Sequence, residues 1–224
     1  MGVKLLVYDR TCMGSRDVAG AVRGVVTAEG SRAIPLSRAW SAGSVLYRAV
    51  GRIDASCGVA SWGEALGFLE TACPGEPIDE IQYWGHGRWG RVLVDEEALD
   101  AASLSPTHAY ARNIDAVRER LSPSALVWFR TCETFGATDG RELAARLADR
   151  LGARVAGHTY VIGFYQSGLF GLRPGDAPYW PGDHGLAEGA PDRPVRARVS
   201  TPGAPRTLTC LGGRVPETWF SPDA

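Results

Sequence analysis

The stretch SALVWFRTCETFG, residues 124–136, carries the pattern that decides the fold. Five consecutive apolar residues lead toward Cys132, and such a run is typical of a strand covered on both faces in a parallel sheet. Over residues 138–152 apolar residues recur every three or four positions, which predicts a helix that ends at Gly152. Cys132 is therefore expected at the carboxyl end of a strand, where ligands bind in open α/β sheets.

A second stretch, IDEIQYW at residues 78–84, predicts another strand and leads directly into Gly-His-Gly. The glycines on either side of His86 let another backbone come close to it. His86 precedes Cys132 by 46 residues (132 − 86). Two neighbouring parallel strands would present the imidazole and the thiol side by side.

Composition and charge exclude several classes of protein. The chain has 224 residues, 45% of them hydrophobic, which is enough for the core of one domain. Its net charge of −1 gives no electrostatic case for binding nucleic acid or a membrane surface. No apolar run approaches the roughly 20 residues that span a bilayer, and the first residues, MGVKLLVYDR, have no signal-peptide pattern. We therefore expect a cytoplasmic protein.

The cysteines do not predict a metal site or a disulfide framework. They are five in number, widely spaced, and contain no C-x-x-C pair. A glycine-rich run at residues 85–90, GHGRWG, matches the dinucleotide pattern, which requires a helix immediately after it. Residues 91–94, RVLV, instead predict the return strand of a hairpin. No cofactor and no metal are expected.

The remaining pattern alternates strands with helices. Strands are predicted over 3–8, 44–53, 78–84, 91–94, 125–129 and 153–163, and helices over 16–27, 61–71, 110–121 and 138–152. This order predicts an α/β three-layer sandwich with a mainly parallel central sheet. Residues 1–165 are expected to form the catalytic domain, and 166–224 a loop-rich extension packed on it, with little regular structure over 168–194.

The two motifs WGHG and RTCETFG together resemble the caspase-like cysteine peptidases, and most closely their bacterial CHAT domains. The resemblance covers about residues 78–163 and implies a caspase-like fold. It implies that His86 and Cys132 are the catalytic pair and that the N–H groups of Gly87 and Cys132 form the oxyanion hole. The glycine expected soon after the cysteine is delayed to Gly136, and the long carboxyl-terminal segment is outside the pattern. The remaining rival base is His158, next to a glycine at a predicted strand.

The same resemblance implies where a substrate binds. The residue two before the nucleophile, Arg130, would line the pocket for the side chain that precedes the cut bond, with Glu133 beside it. Arg16, or alternatively Arg10, would supply a second guanidinium. Two guanidiniums would favour an acidic side chain through bidentate hydrogen bonds. The alternative is that Arg130 pairs with a carboxylate of its own chain, such as Glu133 or Asp139.

The expected function is therefore that of a cytoplasmic, metal-independent cysteine endopeptidase. Its partner would be a protein or peptide substrate, cut after an acidic residue, and the need for an activating protein is open. Two alternatives remain: a catalytically silent scaffold domain of the same fold, and a thiol hydrolase or acyltransferase for a small substrate. A narrow closed pocket would favour the last of these over an open groove.

Overall fold

A computed structural model of the protein describes residues 2–12 and 35–221. The helix predicted over 16–27, and with it Arg16, lies outside these residues. The described chain forms the following strands: β1 (Val3–Asp9), β2 (Ala55–Val59), β3 (Ile78–Trp84), β4 (His86–Arg88), β5 (Arg91–Val94), β6 (Glu97–Asp100), β7 (Leu121–Arg130), β8 (Arg154–His158), β9 (Tyr165–Gln166), β10 (Leu169–Leu172), β11 (Leu186–Ala190), β12 (Arg193–Ala197) and β13 (Leu208–Thr209). It also forms the helices α1 (Leu36–Ala49), α2 (Trp62–Thr71), α3 (Ala111–Arg120) and α4 (Ala137–Leu151), and short 3-10 helices at Ala102–Leu104 and Glu217–Phe220.

A six-stranded sheet in the order β10-β8-β7-β3-β1-β2 forms the centre of the protein. Its first five strands along the chain are parallel to their neighbours, and β10 alone is antiparallel, paired with β8. The prediction of a mixed α/β protein with a mostly parallel central sheet is confirmed. Three further strands, β4, β5 and β6, form a small antiparallel sheet that follows β3.

Both faces of the central sheet are covered. Side chains of α2, α3 and α4 pack on one face in the main core cluster, against Val7, Tyr83 and Phe129. Alternate residues of the same strands point to the other face. There α1 packs near Trp84, and the carboxyl-terminal segment covers Trp128. The sheet is therefore buried on both sides, as the long apolar run of β7 predicts.

Two predictions of local structure were wrong. Residues 44–53, predicted as a strand, mostly belong to α1, because Ser44 and Tyr47 lie three residues apart on its buried face while Val45 is 66% exposed. Residues 168–194 are not free of regular structure, since β10 completes the central sheet and β11 pairs with β12. The segment after residue 165 therefore contributes a strand to the sheet of the preceding residues.

No helix in the described ranges is long and apolar enough to cross a membrane.

Candidate active site

Three parallel strands bring their carboxyl ends together at one edge of the sheet. Tyr8 of β1 pairs with Trp84 of β3, and Trp84 pairs in turn with Arg130 of β7. Strand β3 lies between the other two. His86 follows the central strand, Cys132 follows β7, and Cys12 follows β1. The histidine strand is therefore flanked on both sides by a strand that leads to a cysteine.

His86 begins the β4–β5 hairpin and is held by two contacts. The Trp40 ring of α1 meets it edge-to-face, with ring centroids 5.4 Å apart. Its Nε2 lies 3.2 Å from the Sγ of Cys12, a hydrogen bond whose donor depends on the imidazole tautomer. The sequence motifs predicted a pairing with Cys132, whereas the hydrogen bond observed for His86 is with Cys12. His86 and Cys132 do line the same cavity.

The Cys132 thiol is protonated at neutral pH. Its Sγ lies 3.8 Å from the carbonyl oxygen of Ile162, to which it donates. Burial raises the pKa of Cys132 to about 11, and the nearby carboxyl group of Glu133 shifts it in the same direction. A thiol is a weak nucleophile until it loses its proton, so Cys132 would need a base in order to act as a nucleophile.

The loop that carries Cys132 is fixed from both sides. Gly90, in the β4–β5 turn, donates its N–H to the carbonyl oxygen of Thr134 at 3.0 Å. On the other side, Glu133 donates to Tyr160 and Phe135 donates to His158, each N···O distance being 2.9 Å. These bonds anchor the loop to the hairpin and to the chain at the end of β8. The position of Cys132 is therefore set by backbone hydrogen bonds.

Gly87 packs directly against this loop. A β-carbon added to Gly87 would lie 2.1 Å from Thr134 Oγ1 and 2.8 Å from the carbonyl oxygen of Cys132, so only glycine fits. The hairpin has a two-residue turn, and its closing pair is Arg88 with Arg91. The alternation of an antiparallel ladder then turns the Gly87 N–H away from β5. The Cys132 N–H has no acceptor among the residues that the structure describes. Both N–H groups assigned to an oxyanion hole are thus available.

Arg130 lies at the same edge of the sheet, is only 4% exposed and donates four hydrogen bonds. Its Nε donates to Gln166 Oε1 at 3.0 Å, and one terminal nitrogen donates to the Tyr47 hydroxyl at 2.7 Å and to Gln82 Oε1 at 3.4 Å. The other terminal nitrogen donates to the carbonyl oxygen of Cys210 at 2.6 Å. All these acceptors are neutral.

The predicted ion pair of Arg130 with Glu133 or Asp139 is not observed within the described ranges. The guanidinium instead lies over aromatic rings, with its central carbon 4.5 Å from the Trp128 centroid and 5.2 Å from that of Trp84. A carboxylate, Glu80, is connected to it only through Gln82, whose Nε2 donates to Glu80 Oε1 at 2.6 Å. Burial lowers the pKa of Arg130, but a guanidinium stays charged at any pH of interest.

A cavity of about 320 Å³ opens beside the thiol. Most of its wall is apolar, and its polar groups are few. The lining includes Trp40, Tyr47, Trp84, Ile162, Phe164 and Leu211, together with His86, Arg130, Cys132 and Gln166. Concave sites of this kind, apolar with a few convergent polar groups, are the usual form of a substrate pocket.

The other residues singled out by the sequence lie elsewhere. Glu133 does not line the cavity, and burial raises the pKa of its carboxyl group to about 6 against the opposing charge of Arg88. Arg10 is exposed and forms an ion pair with Glu64 at 3.1 Å. His158 is fully buried, and burial lowers its pKa to about 3, which makes it a poor base.

Sequence reasoning missed Cys12, Trp40 and Cys210. The only local signal for Cys12 was its place shortly after the first predicted strand. That signal was not enough, because the order of strands in the sheet decides which strand ends meet. In the described ranges no group of three or more His, Cys, Asp or Glu side chains is placed to hold a metal ion.

Comparison with known proteins adds one similarity. Residues 65–169 match a family model described as a domain of unknown function, DUF4347. The matched stretch contains His86, Arg130 and Cys132. No curated protein and no solved structure matches the chain.

Proposed function

We propose that the chain is a caspase-like cysteine endopeptidase in which Cys132 is the nucleophile and His86 the general base. One observation carries the proposal. Trp84 and Arg130 are partners in the parallel register of β3 and β7. His86 lies two residues after Trp84, Cys132 lies two residues after Arg130, and both line the same cavity. The order of strand, histidine hairpin, strand and cysteine matches the caspase-like pattern that the motifs resemble.

The proposed reaction begins with a neutral thiol. As a peptide carbonyl binds, His86 takes the Cys132 proton and the sulfur attacks the carbonyl carbon. The negative oxygen accepts hydrogen bonds from the N–H groups of Gly87 and Cys132. His86 then protonates the leaving amine, and water hydrolyses the thioester to release the acid and regenerate the thiol. Because Nε2 already contacts Cys12, either Nδ1 accepts the proton or the ring turns.

The preference for an acidic side chain remains part of the proposal. Arg130 lines the cavity and has no direct carboxylate partner among the described residues, so a substrate carboxylate would be the first anion beside it. A buried charge is costly to desolvate unless it meets an anion. Most N–H groups of Arg130 already donate to neutral oxygens of the chain. The guanidinium would therefore attract a substrate carboxylate mainly through its charge and less through new hydrogen bonds.

The experiment is a peptide library incubated with the wild-type protein and with Cys132→Ala, and the cut sites read by mass spectrometry. We expect the wild type to cleave after Asp or Glu and the variant to show no turnover. Cys57→Ala is the control, since Cys57 lies on β2, three strands away from β7, and should cleave normally. Undiminished cleavage by Cys132→Ala would overturn the proposed nucleophile. Cuts after Leu or Phe alone would overturn the acidic preference and leave the nucleophile in place.

A second candidate is a thiol hydrolase or acyltransferase for a small substrate. The apolar wall of the cavity favours it, because an acyl chain would pack against such a wall. Small thioesters offered beside the peptide library separate the two activities. Turnover of thioesters without peptide cleavage would favour this candidate, and no turnover of either would favour a scaffold domain.

A further inference from the structure

The contact between Cys12 and His86 joins a thiol and an imidazole, and the proposed hydrolysis does not use it. The 3.2 Å between Sγ and Nε2 is short enough for direct proton transfer. This thiol follows β1, the strand that neighbours β3 on the side opposite β7.

Cys12 is brought to His86 by contacts of its own segment. Asp9 is buried at the end of β1, and its Oδ1 accepts from both the N–H and the hydroxyl of Thr11. The Asp95 N–H donates to the other Asp9 oxygen at 3.3 Å. The Ser37 hydroxyl, at the start of α1, donates to the carbonyl oxygen of Cys12 at 2.8 Å.

The two thiols near His86 differ in their surroundings. Cys132 donates to a carbonyl oxygen, and its raised pKa keeps it protonated. Cys12 is partly exposed and touches an imidazole, which can take its proton and then stabilise the thiolate as an ion pair. His86 also lines the cavity beside Cys132, so a small molecule in that cavity reaches the imidazole.

We propose that Cys12 is a covalent modification site for soft carbon electrophiles, activated by His86. With iodoacetamide, the thiol proton of Cys12 moves to Nε2 of His86. The sulfur then forms a bond to the methylene carbon as the carbon–iodine bond breaks and iodide leaves. The product is a neutral thioether beside a protonated imidazole, which returns its proton to water. This reactivity is independent of whether Cys132 hydrolyses peptides.

The test is site-resolved labelling with iodoacetamide at about neutral pH, followed by mass spectrometry of each cysteine peptide in the unmodified full chain. We expect Cys12 to be labelled about tenfold or more faster than Cys73, a partly exposed cysteine that no described histidine contacts. Equal rates for the two in the wild-type protein would overturn the proposal without any variant.

A variant then assigns the effect to the imidazole. His86→Gln keeps a polar side chain, and it should slow Cys12 labelling about tenfold while leaving Cys73 labelling unchanged. Unchanged Cys12 labelling in a folded variant would contradict the role of His86. Cys132→Ala should lose hydrolysis and keep fast Cys12 labelling, so the two proposals fail separately: fast labelling without any peptide cleavage by the wild type removes only the peptidase.

Discussion

Trp84 and Arg130 are register partners on neighbouring parallel strands, and the guanidinium carbon of Arg130 lies 5.2 Å from the centroid of the Trp84 ring. This pairing fixes the level at which both strands leave the sheet. Two residues later the first strand presents His86 and the second presents Cys132. The same two side chains also line the cavity, so this pairing contributes both to the position of the candidate catalytic pair and to its pocket.

Gly87→Ala should damage the candidate site. Its new methyl group would meet Thr134 Oγ1 at 2.1 Å and push the cysteine loop away from the hairpin. We expect a loss of about 1–3 kcal/mol in unfolding free energy and a fall of about 100-fold in any hydrolytic kcat/KM. Urea unfolding and peptide kinetics measure the two effects.

The matched control is Gly67→Ala in α2, where an added β-carbon has no neighbour within 4 Å. Alanine is favoured over glycine inside a helix by up to about 1 kcal/mol, so this variant should be as stable as the wild type or more stable. Equal behaviour of the two variants would show that the Gly87 contact does not constrain the loop.

Arg130→Gln should strongly destabilise the fold. The shorter side chain cannot reach Tyr47, Gln166 and the Cys210 carbonyl together. Gln166 Oε1 and the Tyr47 hydroxyl oxygen would each lose a buried donor, and the Cys210 carbonyl would keep only the Tyr47 hydroxyl. The expected loss is about 3–5 kcal/mol in unfolding free energy, measured by urea denaturation.

Arg146→Gln on α4 is the comparison for Arg130. That arginine is exposed and pairs with Glu142 four residues earlier, an interaction worth about 0.5 kcal/mol or less. A loss for Arg130→Gln no larger than that of the control would mean that the buried network does not hold α1 and the carboxyl-terminal segment on the sheet.

His158 should make the protein sensitive to acid. Burial lowers the pKa of folded His158 to about 3 from its ordinary value of 6.5, so the side chain is neutral in the folded protein but protonated in the unfolded chain below that ordinary pKa. Its stabilising contribution is complete above the unfolded pKa and is lost as the pH falls toward the folded one, at about 1.4 kcal/mol per pH unit.

His158→Asn removes this titration while an amide N–H can still donate to the Ser167 carbonyl oxygen, which His158 Nδ1 meets at 3.1 Å. The pH dependence of unfolding free energy should be shallower in the variant across this acid range. Parallel curves for the two proteins would contradict the lowered pKa of His158.

Cys132 should react slowly with iodoacetamide in the free protein near neutral pH. Since burial raises its pKa to about 11, the thiolate fraction, and with it the labelling rate, should rise about tenfold per pH unit up to that value. Site-resolved labelling over a pH series measures this. A plateau already reached near neutral pH would show that Cys132 is a preformed thiolate.

Local sequence patterns were sufficient for much of the framework. The apolar run before Cys132 and the IDEIQYW segment became β7 and β3, and the helical spacing before and after them became α2, α3 and α4. These patterns succeed because the spacing of apolar residues along one helix or strand shows which of its faces is buried. The same reasoning failed for α1, whose apolar residues are divided between the buried face and solvent.

The sequence by itself determined that a histidine and a cysteine each end a buried strand. Only the tertiary structure decided that β3 lies between β7 and β1, which gives His86 a hydrogen bond to Cys12 and a place in the same cavity as Cys132. It also decided that Arg130 is bonded by Tyr47, Gln166 and Cys210, residues 83, 36 and 80 positions away. Strand order and these distant contacts depend on how the whole sheet is buried between its two covering layers. The periodicity of a single segment carries no information about that arrangement.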